Sequence, residues 1–134
     1  MRMRIHIAAM AVAVVGASMG SAAVAHHSFA VFFDADKSVT VSGTVTEFQF
    51  RNPHGLIRIV TRDAKGNEAQ WRAETNSPSI LERRGWAKDS LKAGDQITIE
   101  GWPARDGSNY MRMRKVSRKD GSPIGVPFDA PVIQ

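Results

Sequence analysis

The histidines are the residues of this chain whose type and spacing indicate chemistry. His26 and His27 are adjacent and directly follow the small residues Ala23-Val24-Ala25. His54 lies in the segment Asn52-Pro53-His54-Gly55, whose composition is typical of a turn. Neutral imidazole nitrogen is a good ligand for copper and other late divalent metals. The sequence therefore indicates a metal site, provided that the chain is cut beside His26.

The first 25 residues predict such a cut. Arg2 and Arg4 form a positive region, an apolar run follows over 7–19, and Ala23-Val24-Ala25 fits the small-x-small pattern of signal peptidase sites. The apolar run is shorter than the ~20 residues that span a bilayer, and no second run of that length follows. We expect residues 1–25 to be removed as a signal peptide, with the mature protein in the periplasm and without a membrane anchor.

The position of the cut decides the geometry of the predicted copper site. Cleavage after Ala25 makes His26 the N-terminal residue, whose α-amine and ring nitrogen form one chelate that a second imidazole, His54, completes. Cleavage after Ala23 makes His26 the third residue, and an amine, two backbone amides and one imidazole then form a square-planar copper or nickel site. His27 is an alternate ligand in either case. The competing interpretation is a solvated histidine tail, with His54 bonded only to its own loop.

Composition excludes several other functions. Removing residues 1–25 leaves 134 − 25 = 109 residues, enough for one modest core. Of the 18 basic side chains, 16 remain against 13 acidic ones, a net charge of +3. The chain has no cysteine, which excludes disulfides, thiolate metal sites and cysteine catalysis. We find no catalytic serine set and no phosphate-binding glycine loop, so a non-catalytic protein is favoured.

The hydrophobic pattern predicts an all-β domain with one short helix. A long strand whose alternation slips in phase comes first, as in strands that bend at a glycine or a bulge. Two strands, a helix and two more strands follow. The predicted strands cover residues 39–50, 56–62, 68–75, 96–104 and 110–116. The predicted helix covers residues 79–84, and a further helical turn is expected at 89–91. This order is that of a small five-stranded OB-like barrel over residues 26–120. A small β-sandwich is the alternative, and residues 121–134 are expected to form an irregular C-terminal arm.

Alternation also predicts which side chains face the core. The expected core residues are Val41, Val45, Ile57, Ile59, Trp71, Leu81, Ile97 and Ile99. Met111 and Met113 are interpreted as core filling rather than as soft copper(I) ligands. Glu74 is expected to be an exposed residue on the strand face opposite Trp71, with a role as an acid or as a partner of a metal-binding histidine as the alternative.

Aromatic and basic residues gather on the last predicted hairpin and suggest a ligand surface. Its members are Trp102, Tyr110, Arg112 and Arg114. OB-like barrels often bind single-stranded nucleic acid through such a face, but the secretory signal argues against that partner. The second functional hypothesis is therefore a non-catalytic OB-like module that binds a periplasmic protein or an envelope ligand.

Several short motifs together resemble a known family. They are His26-His27-Ser28-Phe29, Asn52-Pro53-His54, Trp71 with Glu74, Ser77-Pro78, Arg84-Gly85-Trp86, Leu91, Gly94-Asp95, Gly101 and Asp106-Gly107-Ser108. In these motifs the chain resembles a domain-of-unknown-function family of small secreted proteobacterial proteins. The resemblance covers nearly the whole expected mature chain. It implies a periplasmic β-barrel and does not imply an activity.

Overall fold

A computed structural model of the protein describes residues 29–129. The chain forms five strands and one helix, with a short helical turn over residues 29–32 before them. The elements are β1 (Val39–Gln49), β2 (Leu56–Arg62), β3 (Glu68–Glu74), α1 (Pro78–Arg83), β4 (Gln96–Pro103) and β5 (Tyr110–Arg118). The further helical turn expected at 89–91 is wrong. That segment is a turn in which the Ser90 amide donates to the Ala87 carbonyl at 3.0 Å.

Strand β1 is shared between two neighbours. Its first half pairs with β4 up to Thr44, and its second half pairs with β2 from Thr44 onward. A register shift between Val45 and Glu47 marks a bulge, which explains the slip in the hydrophobic alternation. At Gly43, a Cβ atom would lie 2.5 Å from the Val60 carbonyl oxygen, so the backbones approach too closely for a side chain there. The glycine and the bulge together allow β1 to bend around the barrel.

The five strands form a closed barrel in the order β1-β2-β3-β5-β4. Every pairing in it is antiparallel except that of β3 with β5, which is parallel and only three residue pairs long. Helix α1 lies in the connection between β3 and β4. This strand order and helix position confirm the predicted OB-like barrel, and the alternative of a β-sandwich is wrong.

The barrel interior contains the side chains that alternation predicted. Seven of the eight expected core residues are buried, and Leu81 of α1 is fully inaccessible. The exception is Trp71, which is half-buried and packs against the outside of the core cluster. Met111 and Met113 are buried as well, as expected for core filling.

Segments outside the strands complete this core. Phe33 precedes β1, Trp86 and Leu91 follow α1, and Ile124 and Phe128 follow β5, yet all five are buried. The described part of the C-terminal segment, 121–129, forms no regular strand or helix. It is nevertheless held along β5, because the amides of Ile124 and Phe128 donate to β5 carbonyls at 2.9 Å. The chain segments at both ends of the barrel therefore contribute to its packing.

The close fit of the C-terminal segment can be tested at Gly125. Its φ of +64° is left-handed, and an added Cβ would lie 2.5 Å from both the Arg84 carbonyl oxygen and Trp86 Nε1. Gly121 also has a left-handed φ, of +85°, but has no atom within 4 Å of its added Cβ. We expect Gly121→Ala to lower the free energy of unfolding by roughly 1–2 kcal/mol through backbone strain. Gly125→Ala should cost about 1–3 kcal/mol more through overpacking. Chemical denaturation measures both, and equal losses would contradict the packing described.

Candidate metal and ligand site

A partly buried ion pair lies where β3 meets β5. Glu74 and Arg112 are register partners in the short parallel pairing. The Arg112 guanidinium donates one hydrogen bond to Glu74 Oε1 and another to the side-chain oxygen of Asn76. The Arg112 side chain is 6% exposed and that of Glu74 is 21% exposed. The expectation of an exposed Glu74 is therefore wrong, because β5 lies beside the end of β3 and supplies a buried cation.

Two further side chains converge on the Glu74 carboxylate. The Tyr110 hydroxyl donates to Glu74 Oε2, and His54 Nδ1 lies 3.2 Å from Oε1. The pKa of Tyr110 is raised well above its usual value of 10.0. Burial of the phenol is the largest cause, and the hydrogen bond to Glu74 and the negative charge of Glu74 add to it. The phenol therefore keeps its proton and remains a donor. We call His54, Glu74, Asn76, Tyr110 and Arg112 the closure cluster.

His54 is the solvent-facing member of the closure cluster. The His54 side chain is 36% exposed. The turn that precedes His54 contains a cis peptide bond between Asn52 and Pro53. Burial lowers the pKa of His54 below 6.5, and the positive charge of Arg112 lowers it further, while Glu74 opposes both. The imidazole is therefore neutral at pH 7, the form that binds metals.

The predicted hairpin surface is largely covered. Trp102 is 6% exposed, because the Phe29 ring packs edge-on against it at 5.5 Å. Arg112 is buried in the closure cluster, so neither residue is presented to a partner as expected. Tyr110 is half-buried against Phe33, with the ring centres 5.2 Å apart. This cover was not predicted, because Phe29 and Phe33 precede the first strand and their alternation gives no sign of a packing role.

Arg114, the fourth residue of the predicted hairpin surface, is held by neighbours on two sides. It donates to Glu100 Oε1 and to the Phe128 carbonyl, both at 3.1 Å. Its guanidinium also lies 5.7 Å from the centre of the Trp102 ring. Arg114 thus fastens the C-terminal segment to the barrel, although about a third of its side chain remains exposed.

The other two predicted metal ligands, His26 and His27, lie outside the described residues. Within residues 29–129, no group of three or more histidine, aspartate or glutamate side chains is placed to hold a metal ion. No helix among the described residues is long and apolar enough to cross a membrane.

A groove on the outer barrel surface was not predicted. It has a volume of about 640 Å³ and lies over the bend of β1, between β2 and β4. Hydroxyl side chains are frequent in its lining, which includes Ser42, Thr44, Thr46 and Thr98. The alternating serine and threonine residues of β1 were the available sequence signal. They mark the outward face of that strand.

Strand order and helix position place the protein in the class of small OB-like β-barrels. The chain belongs to the family of unknown function DUF6152, whose model matches residues 13–112. The matched range includes all three candidate histidines and the whole closure cluster.

Two further comparisons concern individual proteins. The structure is similar to a small single-stranded DNA-binding protein from Streptomyces coelicolor, with a TM-score of 0.42 and 15% sequence identity over 62% of this chain and 91% of that one. No curated protein matches the chain.

The closure cluster predicts an unequal cost for removing two arginines. Arg112→Met leaves the Glu74 carboxylate without its buried cation, which typically costs about 3–5 kcal/mol. Arg62→Met is the matched control, since Arg62 pairs with Glu68 on the surface, where the two side chains are 72% and 52% exposed. Such exposed pairs contribute about 0–1 kcal/mol. Urea denaturation of both variants measures the difference, and similar losses would show that the closure cluster does not stabilise the barrel.

His54 predicts a specific pH dependence of stability. Because its pKa is lowered in the folded state, the unfolded chain takes up a proton first as the pH falls below 6.5, and folding stability declines. The decline ends below the folded-state pKa, where both states are protonated. We expect metal-free His54→Asn to lose less stability than the wild type over this window, in denaturation series at several pH values. Identical pH profiles for the two proteins would contradict the lowered pKa.

Proposed function

We propose that this protein is exported to the periplasm, is cleaved after Ala25 and binds one Cu(II) ion there. The proposed ligands are the α-amine and ring nitrogen of His26 together with the imidazole of His54, with His27 as an alternate. Binding of this kind suits carriage or buffering of copper and requires no catalytic residue. The observation that carries the proposal is the position of His54, whose side chain is partly exposed with Nδ1 3.2 Å from the Glu74 carboxylate.

The surroundings of His54 support a role as a metal ligand. Histidines that bind metals usually direct their second ring nitrogen at a carboxylate or a carbonyl, which fixes the orientation of the ring. His54 Nδ1 lies 3.2 Å from Glu74 Oε1, an ion-pair distance at which this carboxylate could take that role. The other nitrogen, Nε2, is then left for a metal.

The described chain begins with aromatic contacts that lead toward the closure cluster. The Phe29 ring lies 5.6 Å from the Phe33 ring, which lies 5.2 Å from the ring of Tyr110, a member of that cluster. Only two residues separate His26 from Phe29. These contacts support a site that His54 and the N-terminal histidines form together.

A second candidate function is a non-catalytic module that binds a periplasmic protein or an envelope ligand. The groove over β1 favours it, because its hydroxyl groups offer both hydrogen-bond donors and acceptors to a polar ligand. The hairpin surface that the sequence predicts for this role is largely covered. The copper proposal requires that the affinity for copper depends on His54, whereas the binding module does not.

The copper proposal predicts a set of affinities for protein purified from the periplasm. One residue added before His26 displaces the α-amine from its chelate and should weaken Cu(II) binding sharply. The same residue added after Gln134 is the control and should have no effect. His54→Ala should also weaken binding, and binding by the wild type should decline as the pH falls through the imidazole range near about 6.5. Titration against a competing chelator gives the affinities, and intact mass gives the cleavage site.

His27→Ala distinguishes the possible ligand sets. The substitution should change copper affinity little if the chelate is formed by the α-amine and ring of His26. It should lower copper affinity more if His27 is itself a ligand. Equal affinity in the wild type, the N-terminally extended form and His54→Ala would overturn the proposed site. The binding module would then be the better account.

A further inference from the structure

We propose that the groove over β1 binds an extended acidic peptide segment, which adds as a short strand to an open edge of β1. Addition of a peptide strand to an exposed sheet edge is a recurring mode of recognition. This inference rests on the second candidate function, the non-catalytic binding module, and not on the copper proposal. It adds the class of ligand and the backbone groups that recognise it.

The direction of the backbone groups along β1 defines the open edge. The Val45 amide donates to the Asp95 carbonyl at 2.8 Å, so the backbone groups of Val45 face β4. Neighbouring residues of a strand direct their backbone groups to alternate sides. Thr40, Ser42 and Thr44 therefore face the opposite side, toward β2.

The backbone of Thr40 and Ser42 has no strand partner on that side. The pairing of β1 with β2 starts at Thr44 with Val60, and no earlier residue of β1 has a partner in β2. Thr40 and Ser42 are paired only with β4, and both are exposed. They offer two N–H donors and two carbonyl acceptors. Their spacing of roughly 7 Å is that of an ordinary antiparallel ladder.

The groove borders this open edge. Its lining passes from Ser42 and Thr44 of β1 to Val60 and Arg62 of β2, and Glu68 of β3 extends the wall. The volume of about 640 Å³ lies within the range of ~300–1,000 Å³ that is usual for ligand sites. A single strand can lie between the edge and this wall, whereas the edge of a second barrel would collide with the wall. An isolated peptide segment is therefore the occupant that fits.

The charges of the groove favour an acidic peptide. Arg62 and Glu68 form an ion pair with each other. Lys119 also lines the groove, and none of the ion pairs found within residues 29–129 involves it. One positive charge of the lining thus remains uncompensated. An acidic side chain of the peptide compensates it, while the backbone of the peptide pairs with the edge.

The test is a ¹H–¹⁵N NMR titration of the metal-free protein with a blocked peptide of alternating valine and threonine and an aspartate at each end. We expect the amide signals of Thr40 and Ser42 to shift. Maltotriose is the comparison ligand, because it offers hydroxyl groups but cannot form a strand. Shifts caused by maltotriose alone would overturn the inference and leave the binding module in place. Absence of binding by both ligands would overturn the inference and count against the binding module as well.

Two substitutions at Ser42 separate its backbone from its side chain. Ser42→Ala removes the hydroxyl that bonds to the Thr98 hydroxyl at 2.7 Å, but it keeps the amide and should leave peptide affinity little changed. Ser42→Pro removes an amide donor that has no partner in β2, a position at which strand edges tolerate proline. Loss of that hydrogen bond should weaken peptide binding by about fivefold. Equal affinities in the two variants would overturn the inference.

Methylated peptides provide a second measurement on the wild-type protein, in case Ser42→Pro does not fold. Alternate amides of the peptide can be methylated in two phases. One phase places the methyl groups on the amides that face β1 and should abolish binding. The other phase leaves those amides free and should preserve it. Equal binding by the two forms would show that the peptide is not held as a strand and would overturn the inference.

The acidic character of the peptide is tested at Lys119. Lys119→Glu should weaken binding of the aspartate-bearing peptide by roughly fivefold, the upper range for an exposed ion pair. Lys88→Glu is the matched control, because Lys88 is also exposed but lies outside the groove. Isothermal titration calorimetry gives both affinities. Equal affinities in the two variants would overturn the assignment of an acidic ligand.

Discussion

The ion pair between Glu74 and Arg112 is the interaction on which the rest of this structure depends. It lies at the parallel contact of β3 with β5, which closes the barrel through only three residue pairs. Desolvating two charges is costly, and the cost is offset only when further hydrogen bonds satisfy the buried groups. Asn76 and Tyr110 provide those bonds. The pairing that closes the barrel and the polar cluster therefore share the residues Glu74, Tyr110 and Arg112.

This coupling explains why the candidate metal ligand lies where it does. The loop from β1 to β2 brings His54 over the closing strands, within 3.2 Å of a carboxylate that is already fixed. The remaining aromatic surface nearby is covered by the chain on either side of the barrel. Phe29 and Phe33 pack on Trp102 and Tyr110, and Phe128 lies beneath the Arg84 guanidinium at 4.2 Å. His54 is consequently the member of the closure cluster that is presented to solvent.

Features set by local pattern could be predicted from the sequence. Alternation located the strands and their inward faces, and the proline and serine before Ile80 located α1. The phase slip in β1 anticipated the bulge that lets one strand serve two neighbours. These signals lie within a few residues of one another. The strand bounds consequently differ from the predicted ones by two residues at most.

Features set by distant pairing could not be predicted. Glu74 and Arg112 are 38 residues apart, and alternation along β3 gives no indication that a cation from β5 will cover Glu74. The burial of Trp102 could not be predicted either, because it depends on the packing of the Phe29 ring against it. Strand alternation distinguishes inward from outward positions, whereas the partner of an outward residue depends on which strands become neighbours. The residues His54, Glu74, Tyr110 and Arg112 could therefore be singled out from the sequence, whereas their assembly into one cluster could not.

The most direct test of the account is an anomalous diffraction map of the mature protein crystallised with one equivalent of Cu(II). The account predicts one copper peak, within coordinating distance of both the His26 α-amine and Nε2 of His54, with Nδ1 of His54 still against Glu74. A peak on the N-terminal residues alone, with His54 bound only to Glu74, would contradict it.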